Sequence, residues 1–538
     1  QRHLTIPCEM CIRDRGMTFP PLRPSTPALP RPTRPLRRAL QRAAALARAA
    51  APAGPGAARA GDEPPEAVRQ ALVQARLPVE ALAYAALPLT RRGGEVGFQA
   101  ARSMQPGSTM KLVTSVVALD VLGPNHRGFT ELLSAAPREP GPQGEVLAGD
   151  LVLRGGGEVE LGLPQLWALL LELREAGVRE IRGDILLDRT RYEPARADLG
   201  VPPFDEAPEF PYNVIPDALN IAGSLLALQL QATAEGVVAR ATPALDGLVL
   251  DARAMALNDA RCADWDEHWK PATVARDGER STITLHGAFP RGCTVRPSLQ
   301  LLDRDLLAEH VLRTLWRGLG GTWQGRVRAA ATPPGATLLA RRQGRPWGEL
   351  LRHLNKASDN AWTRVLFHEL GAQAPEALAP RSLPTAERAD RVLRDWFARH
   401  AIDAGVLVSD NGSGLSRRER VSARLLAEML RTAWRGPHRH DLLATLPTVG
   451  VDGTMRLRLR QSPAAGWARL KTGTLRNVVA LAGVLRDAEG HDWAVAMLIN
   501  DEGAARGRPV LDALVDHWAR SAPGAPPLPR VGPQGEGP

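Results

Sequence analysis

Strand-like segments near both ends of the chain restrict the fold more than any other feature. Val79–Leu89 is a strand-like segment close to the start, whereas Val478–Arg486 and Asp492–Asn500 are apolar, β-branched segments close to the end. Residues 487–491 join the last two segments and include Gly490, which predicts a β-hairpin. We therefore predict an α/β (α+β) domain whose antiparallel sheet is built from both ends of the chain, with the middle inserted into it.

The chain has an excess of positive charge. Its formal net charge is +10 over 538 residues and its pI is about 10.2. Such a balance favours nucleic acid, anionic lipid or acidic polymer as a partner. The arginines are spread along the chain without zinc-finger spacing or an RNA-binding aromatic signature, so we predict no nucleic-acid binding. A peripheral contact with anionic surfaces fits the charge. No apolar run reaches the roughly 20 residues of a transmembrane helix.

Lysine is scarce in this sequence. Of the 68 basic residues, 64 are Arg and only Lys111, Lys270, Lys356 and Lys471 are Lys. Arginine stays protonated in proteins, whereas a buried lysine readily loses its proton and can act as a general base. Each lysine is therefore a candidate functional residue.

The first candidate motif is Ser108–Lys111 (S-x-x-K), which opens a helix-like stretch that extends to Leu122. Positions i and i+3 share a helix face, so the serine hydroxyl and the lysine amine can meet. A serine becomes a nucleophile when a neighbouring base takes its proton. Amides at a helix N-terminus can stabilise an oxyanion. Alone, however, the pattern is more typical of an N-cap serine followed by a surface lysine.

The second candidate motif is Ser358-Asp359-Asn360, between the helix-like segments Trp347–Lys356 and Ala361–Leu370. A serine here could relay protons to a leaving group, and the asparagine amide could bind a substrate carbonyl. By itself the tripeptide also fits an ordinary turn between helices, where Ser, Asp and Asn are favoured.

The third candidate motif, Lys471-Thr472-Gly473-Thr474, leads into a strand. A lysine and two hydroxyls beside an edge strand can bind a terminal carboxylate. Gly473 would let a substrate backbone approach closely, and the Thr474 amide could donate to an oxyanion. The simpler alternative is a strand with a turn glycine.

Together the three motifs favour catalysis. Their order, S-x-x-K, S-D-N and K-T-G, is typical of β-lactamases and penicillin-binding proteins. Three of the four lysines lie in or beside them. From about residue 70 to 520 the chain resembles the D-alanyl-D-alanine carboxypeptidase/endopeptidase family of penicillin-binding protein 4. The resemblance rests on 107–112, 118–124, 183–184, 355–360, 410–417, 451–455 and 471–475.

The resemblance implies a β-lactamase/transpeptidase-like domain, an antiparallel sheet flanked by helices, with nested domains inserted between the first and second motifs. It also implies acyl transfer on peptidoglycan stem peptides, with β-lactams as acylating inhibitors and with no metal or other cofactor. In the implied reaction, Ser108 is the nucleophile, Lys111 is the base and Ser358 is the proton relay. Asn360 contacts the substrate amide, Lys471 and Thr472 bind the carboxylate, and Gly473 allows close approach of the substrate. The amides of Ser108 and Thr474 form the oxyanion hole.

The resemblance further implies that the free end of diaminopimelate binds an acidic residue of the insert and an arginine of the G-S-G-L-S-R motif. The matching residues are Asp205 and Arg417. Asp205 could equally be an ordinary loop residue. Arg476 stands where some family members carry glutamine, so the side-chain preference of this chain can differ.

The predicted domains follow from the resemblance and from composition. They are a disordered leader with a candidate signal segment (1–62), a catalytic domain in two pieces (63–132 and 336–525), inserted domains (outer part 133–215 and 290–335, inner part about 216–289) and a disordered tail (526–538). The order of basic, Ala/Leu-rich and small residues in 34–60 fits a secretory signal, although Arg48 interrupts its apolar part. Because the substrate lies in the cell wall, we predict a periplasmic enzyme.

Two questions stay open at this level. Cys262 and Cys293 could form a disulfide in an oxidising compartment, or could be two buried thiols. The competing functions are a β-lactamase or esterase of the same fold and a catalytically silent wall-binding protein. The long insert argues against the former, and the intact Ser108, Lys111 and Lys471 argue against the latter.

Overall fold

The computed structural model of the chain describes residues 63–90 and 93–521. The predicted leader (1–62), with its candidate signal segment, and the predicted tail (526–538) lie outside the described residues. In the described ranges, no helix combines the length and the hydrophobicity that crossing a membrane requires.

The described part of the chain forms ten α-helices and 22 strands. The helices are α1 (Glu66–Ala75), α2 (Met110–Val121), α3 (Leu163–Glu175), α4 (Arg304–Gly318), α5 (Trp347–His353), α6 (Asn360–Ala372), α7 (Thr385–Arg399), α8 (Ala423–Arg435), α9 (Arg439–Thr445) and α10 (Arg508–Arg520). The strands are β1 (Leu82–Pro88), β2 (Val96–Phe98), β3 (Arg127–Ser134), β4 (Arg138–Gly141), β5 (Gly144–Leu147), β6 (Leu151–Gly156), β7 (Val178–Ile181), β8 (Ile185–Asp188), β9 (Leu226–Thr233), β10 (Gly236–Ala241), β11 (Leu248–Asp251), β12 (Met255–Asn258), β13 (Trp269–Asp277), β14 (Arg280–Pro290), β15 (Thr294–Val295), β16 (Ser298–Leu299), β17 (Thr322–Trp323), β18 (Val327–Ala329), β19 (Thr337–Pro346), β20 (Arg469–Leu475), β21 (Val478–Arg486) and β22 (Asp492–Asn500).

A five-stranded antiparallel sheet joins the two ends of the described chain. Its order is β2-β1-β22-β21-β20, so two strands come from the start and three from the end. The predicted hairpin is β21 and β22, with the predicted bounds. The motif strand β20 lies at the sheet edge, where its free side is open to another chain. This arrangement confirms the predicted fold class.

The central sheet is buried on both faces, which explains why its strands read as continuous apolar runs. Alternate residues of β1 point to opposite faces: Ala83 and Ala85 pack in the core formed with α2, α6, α7 and α8, whereas Leu82 and Tyr84 pack in the core formed with α1 and α10. Alanines also line the first face on β21 and β22. Small side chains let α8 lie close to β1 and β22.

The region between the first two motifs forms four further sheets. Two of them, β18-β8-β6-β3-β19 and β17-β7-β5-β4, contain β3–β8 and β17–β19. The other two contain β9–β16, and Cys262 is bonded to Cys293 within this part. One apolar cluster extends through all four sheets. Strands β3 and β19 pair antiparallel where the chain enters and leaves the insert. The exact domain boundaries stay predictions.

Candidate active site

Ser108 lies in a single 3-10 turn, Gly107–Thr109, that leads into α2. Gly107 has a φ of +50°, and a Cβ on it would lie 3.2 Å from the Thr474 amide nitrogen. A glycine adopts this φ without strain and leaves room for the backbone of β20 beside the turn. One turn later, the Lys111 Nζ donates a hydrogen bond of 3.0 Å to the Ser108 Oγ.

Lys111 is fully buried and is surrounded by neutral acceptors. Besides Ser108, its Nζ donates to the Asn360 Oδ1 at 2.6 Å and to the Ser413 carbonyl at 2.5 Å. Burial lowers the pKa of Lys111 to about 7, although the negative charges of Glu419 and Asp359 oppose this shift. An amine with this pKa is substantially neutral at physiological pH and can accept a proton.

Ser358 ends a π-helical turn, Leu354–Ser358, immediately before α6. Its φ of +64° is uncommon for a residue with a side chain. The Lys471 Nζ donates to the Ser358 Oγ at 2.8 Å and to the Thr472 carbonyl at 2.9 Å. Burial, followed by the charge of Lys111, holds the pKa of Lys471 well below its usual range. A second desolvated lysine therefore contacts the second motif.

The third motif contacts the serine turn and a neighbouring loop. A Cβ on Gly473 would lie 2.6 Å from the Pro106 carbonyl oxygen and 3.2 Å from the Ser108 amide nitrogen. The Thr472 Oγ1 donates to the Thr454 Oγ1 at 2.8 Å. The amides of Ser108 and Thr474 therefore belong to two backbone segments in close contact, as an oxyanion hole requires.

A cleft of about 600 Å³ opens at Ser108. It is lined from the serine turn, α6, the 410–417 loop and β20, and also from the insert. The lining residues are Ser108, Phe204, Asp205, Glu206, Ala207, Tyr212, Asn360, Gly414, Leu415, Arg417, Thr474, Leu475 and Arg476. Five of the predicted site residues are not in this lining and instead contact one another or the serine turn, namely Lys111, Ser358, Lys471, Thr472 and Gly473.

Known proteins resemble this chain over most of its described residues. A profile of the D-Ala-D-Ala carboxypeptidase 3 (S13) family matches residues 66–521. The chain belongs to this family. It is therefore a serine D-alanyl-D-alanine carboxypeptidase, as the resemblance implied.

Two carboxypeptidases and one solved structure are similar to this S13 carboxypeptidase. A D-alanyl-D-alanine carboxypeptidase of an Actinomadura species is 29% identical over 449 residues, which cover 80% of this chain and 79% of the relative. DacB of Haemophilus influenzae is 27% identical over 409 residues, 74% of this chain and 80% of the relative. The crystal structure of penicillin-binding protein 4 (dacB) from H. influenzae superposes with a TM-score of 0.68 at 24% identity, and covers 84% of this chain and 98% of its own.

The insert of the S13 carboxypeptidase reaches the site through Asp205 and Tyr212. The Tyr212 hydroxyl donates to the Asp205 Oδ2 at 2.8 Å, and the Asn213 amide donates to its Oδ1 at 2.8 Å. The Tyr212 carbonyl accepts from the Asn360 Nδ2 at 3.0 Å. Asp205 and Arg417 thus line one cleft, and the Arg417 guanidinium lies 5.1 Å from the Phe204 ring centroid. Sequence reasoning missed Tyr212, because nothing local places an exposed tyrosine next to Asn360.

Glu419 is a second residue that sequence reasoning missed. Its side chain is fully buried and holds the 410–414 loop, whose Ser413 carbonyl accepts from Lys111. The sequence motif 410–417 ends two residues before it, and a glutamate between arginines is more typical of a solvated surface. The signal that could have found it is the adjoining G-S-G, whose free amides need an acceptor.

One group of potential metal ligands occurs in ranges 63–90 and 93–521. The ligand atoms of Asp487, Glu489 and His491 lie within 4.8 Å of one another in the turn between β21 and β22. Asp487 accepts from the Trp493 indole and from the backbone of its own turn. None of the three residues lines the cleft of the S13 carboxypeptidase.

Proposed function

We propose that this S13 carboxypeptidase acts through an acyl-serine intermediate on Ser108, that β-lactams acylate the same serine, and that D-Ala-diaminopimelate crosslinks are further substrates. The observation that carries this proposal is the 3.0 Å hydrogen bond between the Lys111 Nζ and the Ser108 Oγ, inside a site where burial brings the pKa of Lys111 to about 7. A nucleophile and a base at this distance are the minimum apparatus of acyl transfer.

In the proposed reaction, the Ser108 oxygen bonds to the carbonyl carbon of the penultimate D-alanine as its proton moves to Lys111. The amides of Ser108 and Thr474 stabilise the oxyanion. The C–N bond then breaks, and the proton held by Lys111 passes to the leaving amine with Ser358, whose hydroxyl contacts Lys471, as relay, so that Lys111 is neutral again when water attacks the ester. Water hydrolyses the ester and frees Ser108.

Substrate recognition is assigned to the cleft and to the residues of β20 that contact the serine turn beside it. Lys471 and Thr472 bind the terminal carboxylate, Gly473 allows the peptide backbone to approach β20, and Asn360 contacts the substrate amide. Asp205 and Arg417 face the same cleft and offer opposite charges. A diaminopimelate end carries both an ammonium and a carboxylate, which this pair complements. The charges therefore support stem peptides and crosslinks as substrates.

The location follows from the substrate. Stem peptides and their crosslinks lie in the cell wall, so we place the enzyme in the periplasm, with a peripheral contact to anionic surfaces favoured by its net charge of +10.

The deciding experiment is intact-mass spectrometry after incubation with a penicillin, on the wild type and on Ser108→Ala. The proposal expects an adduct of one penicillin mass on the wild type and none on the variant. Rapid release of hydrolysed penicillin would instead favour a β-lactamase. A folded protein with neither adduct nor hydrolysis would contradict the acyl-serine mechanism and favour a silent wall-binding protein.

Crosslink recognition is tested separately with Asp205→Asn. The expected result is a KM about tenfold higher for a diaminopimelate-containing peptide, because a charge-assisted contact is lost. The rate of penicillin acylation should stay unchanged, since penicillin lacks that side chain. An equal loss with both substrates would assign Asp205 a structural role.

A further inference from the structure

The buried carboxylate of Glu419 has no cationic partner at ion-pair distance among the residues that the structure describes. Glu419 is fully buried, and in the described part of the chain its hydrogen bonds come from backbone amides alone. Its Oε1 accepts from Gly412 at 2.7 Å and from Asn411 at 3.2 Å, and its Oε2 accepts from Gly414 at 2.7 Å. Amide donors favour the ionised carboxylate against the effect of burial, which raises the pKa of Glu419.

The loop that Glu419 holds contacts both reacting groups. The carbonyl of Ser413 accepts from the Lys111 Nζ at 2.5 Å. Gly414 has a φ of +83°, and a Cβ on it would lie 1.8 Å from the Gly107 carbonyl oxygen and 2.8 Å from the Ser108 amide nitrogen. Glu419 is thus linked to the nucleophile through its hydrogen bond with the Gly414 amide and through the backbone contact between Gly414 and Ser108.

Four charged groups from three parts of the fold surround Lys111. Glu419 follows the 410–417 loop and Asp359 caps α6, and both raise the pKa of Lys111. Arg364 on α6 lowers it, and Lys471 on β20 is the second buried amine, whose own pKa falls in the field of Lys111. Of the two carboxylates, Glu419 is the fully buried one, so its field is the less screened by water.

We propose that Glu419 is a positioning residue for acylation, which fixes the 410–414 loop against the serine turn and whose negative charge sets the pH range in which Lys111 accepts the proton. This inference rests on the proposed function, in which Lys111 is the base. The negative charge keeps Lys111 protonated to higher pH. In a plot of acylation rate against pH, the pH at which the rate falls on the acid side (the acid limb) therefore reports the charge of Glu419. The maximum rate (the plateau) reports the geometry of the loop.

The test is the rate constant for acylation by a penicillin between pH 5 and 9, for the wild type and Glu419→Gln. The plateau should fall, because glutamine supplies one acceptor oxygen for the loop amides instead of two. The acid limb should move down by about one pH unit, because loss of a negative charge lowers the pKa of Lys111. Equal slowing at every pH, or a limb that moves up, would overturn the role of the charge.

Two further variants separate charge from geometry. Glu419→Asp keeps the charge but shortens the reach, so the plateau should fall while the limb stays at the wild-type pH. Arg364→Met removes the opposing charge, so the limb should move to higher pH. If Glu419→Gln does not fold, a limb that fails to move in Arg364→Met overturns the electrostatic part by itself.

The matched control is Glu131→Gln, a buried glutamate of β3 that pairs with Arg154. Its pH profile should coincide with that of the wild type, and a shift there would mean that any buried carboxylate moves the limb. Failure of the proposed function looks different, because the wild type would then form no adduct at any pH. An adduct with coincident profiles in all variants would reject the inference about Glu419 alone.

Discussion

Helix α6 connects two buried charge clusters that are built in opposite ways. At its N-terminal end, Lys111 and Lys471 are fully buried and donate to neutral oxygens, with no carboxylate at ion-pair distance in the described residues. Near its C-terminal end, Glu369 is equally buried but accepts two bonds of 2.7 Å from Arg191, one of 2.7 Å from Tyr192 and one of 2.8 Å from His126.

The pKa values follow the two designs. Burial lowers the pKa of Lys111 to about 7, so its charge is only weakly favoured at neutral pH. Burial alone would raise the pKa of Glu369, but the bonds from Arg191 and His126 outweigh it and bring the pKa to about 2. A buried lysine with neutral partners can release or accept a proton, whereas a buried carboxylate with cationic partners stays ionised and holds elements together. The Glu369 cluster ties α6 to the segment before β3 and to the loop after β8.

The largest expected effect is on the acylation rate and tests the lysine cluster at the N-terminal end of α6. Lys111→Arg keeps the positive charge but removes the ability to lose a proton, so acylation by penicillin should slow by about 10³-fold or more. The measurement is the acylation rate constant at pH 8. Lys270→Arg, at an exposed lysine of β13, is the matched control and should leave the rate unchanged. Retention of more than a tenth of the wild-type rate in Lys111→Arg would end the assignment of Lys111 as base.

The next largest effect is on stability and tests the Glu369 cluster. Glu369→Gln leaves Arg191 without its carboxylate and should lower the free energy of unfolding by about 3–5 kcal/mol at pH 7, measured by chemical denaturation. Glu139→Gln, at the exposed Arg182 pair, should lower it by less than about 1 kcal/mol.

Acid should erase the difference between the wild type and Glu369→Gln. The folded-state pKa of Glu369 lies below its unfolded value, so its contribution is present above about pH 4.5 and is lost as the pH falls toward 2. A stability difference that stays constant from pH 7 to pH 2.5 would show that packing, not charge, carries the effect.

The sequence was sufficient for the features that local geometry determines. The hairpin β21–β22 has its predicted bounds, because the apolar pattern and the turn residues specify it without reference to the rest of the chain. The contact between Ser108 and Lys111 depends on i,i+3 spacing, which any helical turn supplies. The sheet built from both ends was predicted because strands buried on both faces leave apolar runs at both ends of the sequence.

The features that depend on distant packing could not be predicted. Glu369 meets Arg191 and His126 across 178 and 243 residues, and Tyr212 meets Asn360 across 148. A glutamate on a helix or a tyrosine in a loop carries no local sign of such a partner. The positive φ of Ser358 is equally invisible in the sequence, because a serine rarely adopts it without tertiary contacts that enforce it.

Removing the disulfide should have a smaller effect on stability and none on acylation, because the bond lies in the insert and not at the active site. Cys262 and Cys293 are bonded across 31 residues, in the part of the insert that contains β9–β16. The double variant Cys262→Ala/Cys293→Ala should lower the free energy of unfolding by about 2–4 kcal/mol, because a closed loop restricts the unfolded chain. Its acylation rate should match the wild type. A slowed rate would mean that the bond also shapes the cleft.

The smallest expected effect concerns Lys356. This lysine lies beside the second motif but, like Glu369, has an oppositely charged partner. Its Nζ pairs with the Asp452 carboxylate, and Asp452 also accepts from the Thr448 amide at 2.8 Å. The pair is partly exposed, so Lys356→Met should lower the free energy of unfolding by about 1 kcal/mol. Acylation should slow by about threefold at most, through a small shift of the turn that places Thr454 next to Thr472. A loss comparable to that in Lys111→Arg would show that a lysine with a carboxylate partner also takes part in the reaction, and the distinction between neutral and charged partners would no longer identify the base.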